Sequence, residues 1–193
     1  MIRRSLAVMV VLSIAFAGAG LAREVKDYTG AINDFKESSD VRPFFDTAYG
    51  YAVFPSIGKG GLGIGAAHGK GQTYVGGEVT GFTSVTNISW GLQAGGQAYS
   101  MVIFFQDERA YKEFTSGEFE FGADAAAIAV NASAGASADT TGGGQASASS
   151  GGSGGSMAST DYHKGMLVFT IGKGGLMYEA TISGQKYKWD PVN

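Results

Sequence analysis

Two identical hexapeptides hold most of the chemistry that can be located in this sequence. Ile57-Gly58-Lys59-Gly60-Gly61-Leu62 recurs 114 positions later as Ile171-Gly172-Lys173-Gly174-Gly175-Leu176. Each copy follows a strand-like run with a phenylalanine, Phe54 or Phe169, and each precedes another strand-like run. Gly-Lys-Gly-Gly between strands predicts a tight turn whose glycines adopt positive φ. Such a turn aims successive backbone N–H groups at one anion, while its lysine supplies a full charge. The plainer alternative is a pair of hairpin tips whose lysines only keep them soluble, and both readings stand at this level.

Three further lysines, Lys70, Lys186 and Lys188, fall just after the two repeats. Repeats that are neighbours in space would gather all five into one basic face. A lysine near an anionic membrane contributes about 1 kcal/mol, so five give about 5 kcal/mol, roughly sub-millimolar binding. Charge alone is then too weak, and a headgroup pocket or inserted apolar residues must add to it. Trp189, Tyr187, Tyr178 and Met177 are candidates for insertion, with a place in the core as the plainer role. The candidate anion site therefore comprises Gly58, Lys59, Gly60, Gly61, Lys70, Gly172, Lys173, Gly174, Gly175, Lys186 and Lys188.

Catalytic signals are sparse by comparison. His68 and His163 are the two histidines of the chain. No nucleophile-elbow pattern accompanies them, and a hydrolytic triad needs a base held beside its nucleophile. Zinc would find no cysteine and no paired-histidine spacing, so no metal or other cofactor is expected. The Gly63-Ile64-Gly65-Ala66-Ala67-His68-Gly69 stretch only loosely resembles a dinucleotide fingerprint and lacks the βαβ setting. Gly69-Lys70-Gly71 lacks the Ser or Thr and the earlier glycine of a phosphate-binding P-loop. Glu118, Glu120 and Asp124 are the carboxylates a hidden acid–base site would use. Glu118 and Glu120, two apart on a strand, share a face that solvent is expected to bathe.

Around these residues the hydrophobic pattern predicts short helices and many strands. Val25, Tyr28, Ile32 and Phe35 recur at three and four, which predicts a helix over 24–37. Ser39 or Asp40 is positioned to cap a second helix through Phe45, with Pro43 in its first turn. From Tyr49 the period becomes two. Strands are expected over 49–54, 62–67, 73–82, 85–92 and 99–105, separated by glycine-rich turns. A short helix over 107–114 is capped by Asp107, with Gly117 just past its end. The 119–130 stretch leans to strand, and strand character returns over 165–171 and 176–189. Residues 133–160 are nearly all Gly, Ser, Ala and Thr, too polar and small to offset their ordering entropy, which predicts a flexible loop.

The first residues bear a different signal. Arg3 and Arg4, the apolar run from Leu6 to Phe16 and the small residues at Gly20-Leu21-Ala22 have the layout of a secretory signal peptide cleaved after Ala22. Residues 23–193 then form one expected domain, exported to the periplasm or cell envelope or secreted. The net charge is −3 for the whole chain and −5 once Arg3 and Arg4 are removed. An acidic chain lacks the basic stripe a nucleic-acid binder needs. Without cysteine, an exported fold rests on packing rather than disulfides.

Several motifs in order carry a resemblance. They are Ala48-Tyr49-Gly50-Tyr51-Ala52-Val53-Phe54-Pro55, Gly58 to Gly61, Gly91 to Ser100, Phe119 to Ala123, Lys173 to Ala180 and Gly184-Gln185-Lys186. Together they resemble the SYLF-domain family in its bacterial exported branch, over nearly all of residues 25–189. The resemblance implies lipid binding and no catalytic residues. Eukaryotic relatives bind phosphoinositides and other acidic phospholipids, and the yeast branch also binds actin. For an exported chain, a general anionic phospholipid or membrane surface is the expected partner rather than actin or nucleic acid.

The expectation is thus an α+β fold, an antiparallel, barrel-like β-sheet with a few short helices, mainly N-terminal. Its expected function is non-catalytic binding of anionic phospholipid headgroups. The alternative is a structural or protein-interaction component of the cell envelope, and an enzyme with an unnoticed carboxylate site is the third reading.

Overall fold

The computed structural model describes residues 23–122, 127–130, 162–173, 182 and 184–192, with backbone alone at 62–64 and 89–95. The expected signal peptide and the Gly/Ser/Ala-rich stretch at 133–160 lie outside the described residues.

An extended lead precedes helix α1 (Thr29–Lys36) and helix α2 (Arg42–Thr47), with a proline in the first turn of α2. The helix expected over 24–37 begins late. Asp27 accepts a hydrogen bond from the Thr29 N–H, and Gln72 clamps Lys26 by both its N–H and its carbonyl, so 23–28 runs as a strap. Neither Ser39 nor Asp40 caps α2, which starts after Val41 without a side-chain cap.

Strands β1 (Gly50–Val75) and β2 (Glu78–Phe105) follow as one long antiparallel hairpin. The separate strands expected here are continuous, and the run expected over 73–82 contains the turn. Gly76 and Gly77 both have positive φ, the pairing that a two-residue hairpin loop on right-twisted strands demands. Next come α3 (Glu108–Phe114), capped as expected by the Asp107 side chain, then β3 (Glu118–Glu120), β4 (Ile128–Ala129), β5 (Met166–Lys173) and β6 (Lys186–Pro191).

Register divides the sheet into two halves joined by the long hairpin. The C-terminal half of β2 lies between the start of β1 and β5, and β5 pairs in parallel with β4. The N-terminal half of β2 lies between the end of β1 and β6, whose far side takes β3. A register shift between Leu62 and Ile64 marks the change of half. The halves curl over each other, which bears out the α+β, barrel-like, antiparallel-dominated fold.

Two apolar layers hold this arrangement. The inner one packs Ala52, Phe54, Met101, Ile103 and Val168 of the first half against Ala67, Val85 and Tyr187 of the second, with Phe114 of α3 filling one end. The outer one packs α1 and α2, through Phe35, Phe44 and Phe45, over Val53, Phe104 and Phe169. The first half-sheet is therefore covered on both faces. The second is covered on its inner face and, on its outer face, by the 23–28 strap at the Gln72 and Phe82 end; among the described residues the rest of that outer face, over 66–70 and 84–88, is bare.

Candidate functional site

The bare face is built by alternation. In β1, Ala67, Gly69 and Gly71 point inward and are buried, so Ala66, His68 and Lys70 point outward and are exposed. Each outward residue of β1 faces an outward residue of β2: Ala66 opposite Ile88, His68 opposite Thr86, and Lys70 opposite Ser84. Strand β6 extends the rows with Lys186 beside Thr86 and Lys188 beside Ser84. Strand β3 closes them with Glu120 beside Lys186 and Glu118 beside Lys188.

Three of the five expected lysines thus share one outward face. Two of them have counter-ions. Lys188 Nζ stands 3.4 Å from Glu118 Oε1, and Lys186 Nζ stands 3.9 Å from Glu120 Oε2, all four side chains being at least half exposed. Exposed pairs at such distances contribute little to stability and exchange partners readily. Lys70 makes no ion pair among the described residues.

The first Lys-Gly-Gly copy is not a turn, and the described start of the second, Gly172 and Lys173, is strand. Gly58, Lys59, Gly60 and Gly61 sit inside β1, paired with Ala98, Gln97, Gly96 and Gly95. Gly172 and Lys173 end β5, paired with Tyr99 and Ala98. None of Gly58, Gly60, Gly61 or Gly172 has positive φ, so the anion-cradling nest expected of them is absent there. The physical reason is that β2 supplies ladder partners to Gly58–Gly61 and to Gly172 and Lys173, and a satisfied extended backbone has no cause to turn. Gly174 and Gly175 lie outside the described residues.

The copies do flank the same stretch of β2, one strand on either side, about 10 Å apart by ordinary strand spacing. Their lysines nevertheless diverge. Lys59 lies opposite Gln97 and Lys173 opposite Ala98, and adjacent strand residues point to opposite faces. The single basic face of five lysines is therefore three lysines on the bare face plus one on each face of the other half-sheet.

The proposed insertion residues also divide. Tyr187 is fully buried, its hydroxyl donating to Gln185 Oε1 at 2.6 Å. Burial, and secondarily the nearby Tyr99, hold its phenol well above its ordinary pKa. Trp189 is half-buried, with its indole N–H on Thr73 Oγ1 at 3.0 Å. Tyr178 and Met177 lie outside the described residues. Ile88, which the sequence alone did not single out, is 68% exposed at one end of the bare face, opposite Ala66. Its signal was the outward phase of β2, legible only once the phase is known.

Glu118 and Glu120 occupy the solvated face that their spacing implies, and Asp124 lies outside the described residues. A cleft of about 40 Å³ between α3, β3 and β5 brings Glu113, Glu120, His163 and Lys164 together. It has room for about a water molecule, not for an acyl chain.

Residues 86–188, more than half of the chain, match the family described as Ysc84, Las17-binding protein actin regulator. The chain is also similar to Beta cell expansion factor A of Aeromonas veronii, a SYLF-family protein, at 30% identity over 161 residues. That alignment covers 82% of this chain and 52% of the relative, so the chain spans about half the length of that curated protein. The matched segment takes in most of β2 and the strands that follow it, and the chain belongs to the Ysc84 family of SYLF-domain proteins.

Proposed function

We propose that this protein is exported and binds anionic phospholipid headgroups at a membrane surface, without catalysis. The observation that carries this reading is the convergence of Lys70, Lys186 and Lys188 on one bare sheet face of an otherwise acidic chain. Family membership supports it at the coarser level of a lipid-binding or protein-interaction role. The inner layer is filled by side chains, so recognition is of headgroups from outside rather than enclosure of a whole lipid. Three lysines contribute about 3 kcal/mol near an anionic surface, which corresponds to binding weaker than millimolar. Apolar contact must supply the remainder.

Co-sedimentation of the purified protein with neutral and anionic vesicles, at low and moderate salt, tests this. Binding to anionic vesicles alone, weakened by salt, is the expected result. Replacing Lys70, Lys186 and Lys188 together with alanine is expected to abolish it. The Lys59→Ala, Lys173→Ala pair is expected to weaken it less, because those two side chains point away from the bare face and from each other. Absence of binding to either vesicle would remove the lipid reading. A role as a structural or protein-interaction component of the envelope would then lead, in keeping with the protein-binding description of the family.

A further inference from the structure

We propose that the molecule docks on an anionic bilayer through the outer face of the second half-sheet, with Ile88 inserted below the headgroups. This inference rests on the phospholipid reading above and adds the orientation and the apolar anchor. Four observations converge on it.

Ile88 is the most exposed of the large hydrophobic residues described, at 68% against 48% for Val25 and less for Tyr49 and Val192. It is not isolated on a rim. The register of β1 against β2 runs unbroken from Ile64 to Thr73, so Ile88, Ala66, His68, Thr86 and Lys70 lie on one continuous face. That face has an apolar end, Ala66 and Ile88, next to a cationic end, Lys70, Lys186 and Lys188. Apolar residues flanked by lysines match a bilayer surface, where hydrocarbon lies beneath a layer of phosphates.

The opposite outer face cannot serve. It is covered by α1, α2 and the linker between them, where exposed Asp34, Glu37, Asp40 and Asp46 outnumber Lys36 and Arg42. Charge complementarity on a chain of net charge −3 therefore selects the bare face and turns the helices toward solvent. Glu118 and Glu120 sit at the rim of the docking face as exchangeable counter-ions, and phosphates take their place on Lys188 and Lys186.

The chain has no cysteine, so a single introduced thiol labels one site. Ile88→Cys and Asp46→Cys, each carrying an environment-sensitive fluorophore, are mixed with vesicles of phosphatidylglycerol and phosphatidylcholine. The label at position 88 is expected to brighten, shift to the blue and be quenched by acyl-chain spin labels, while the label at 46 stays unchanged. Ile88→Ser, with an unaltered circular dichroism spectrum, is expected to lower vesicle affinity about tenfold. Vesicle binding with the label at 88 still in water, or with the label at 46 responding instead, would overturn the orientation and leave the phospholipid reading intact. No binding by the unlabelled protein would overturn both.

Discussion

Tyr187 illustrates how a polar residue is kept inside this core. Its ring meets Phe54, Phe114 and Phe121, and its hydroxyl finds Gln185, whose amide in turn donates to the Tyr99 hydroxyl at 3.2 Å. The chain of partners satisfies three buried polar groups and ties β6 to β2. Burial is the main cause of the raised phenol pKa at both Tyr187 and Tyr99. A folded pKa above the unfolded value of about 10 means that the fold favours the neutral phenol. This contribution is full below about pH 10 and is lost as pH rises toward the folded value. Thermal melts of Tyr187→Phe are expected to show about 1 to 2 kcal/mol less stability at neutral pH, because Gln185 loses its donor. Above pH 10 the variant's stability should fall less steeply than the parent's; parallel alkaline limbs would show that Tyr187 does not govern them.

At the scale of elements, the two halves of β1 approach each other closely at glycines. A Cβ on Gly71 would lie 2.6 Å from the Val53 carbonyl oxygen and 2.8 Å from the Phe54 ring, and one on Gly69 would meet Ile57 at 2.6 Å. These glycines let the end of β1 lie across its beginning, which is how the sheet curls. Gly58 is in the same strand, but a Cβ there would meet nothing within 4 Å. Gly71→Ala is therefore expected to cost about 1 to 3 kcal/mol in chemical denaturation, because backbone must move to admit a methyl group. Gly58→Ala should be neutral or slightly stabilising. Equal effects at the two positions would refute the close approach as the reason for glycine in β1.

Considered as a whole molecule, the protein distributes its charge unevenly between two outer faces. The helical face carries Asp34, Glu37, Asp40 and Asp46 against Lys36 and Arg42, and the bare sheet face carries Lys70, Lys186 and Lys188 with two carboxylates at its edge. Because the Glu118 and Glu120 pairs are exposed, the Glu118→Gln, Glu120→Gln double variant should change folding stability by no more than about 0.5 kcal/mol. Its affinity for anionic vesicles should rise several-fold at low salt, with the gain disappearing at high salt. Asp34→Asn with Asp46→Asn removes the same charge from the helical face and should leave affinity nearly unchanged. An equal rise in both double variants would mean that net charge, not this face, governs association.

Much of this was legible in the sequence because it depends on local rules. Alternation of period two, the Asp107 cap, Pro43 in the first turn of a helix and the ordered family motifs required no knowledge of which strand pairs with which. The lysine site was legible only in part. Identical hexapeptides suggested identical turns, but a Gly-Lys-Gly-Gly segment is a turn only if no neighbouring strand satisfies its backbone, and β2 does so for all of the first copy and for Gly172 and Lys173 of the second. Whether Lys59 and Lys173 point together or apart depends on a one-residue difference in register, opposite Gln97 or Ala98, which no local pattern encodes. The sequence by itself determined the residue types, the strand period and the family. The tertiary structure alone decided that Lys70, Lys186 and Lys188 share one face with Ile88, because pairing between strands a hundred residues apart sets which side chains share a face.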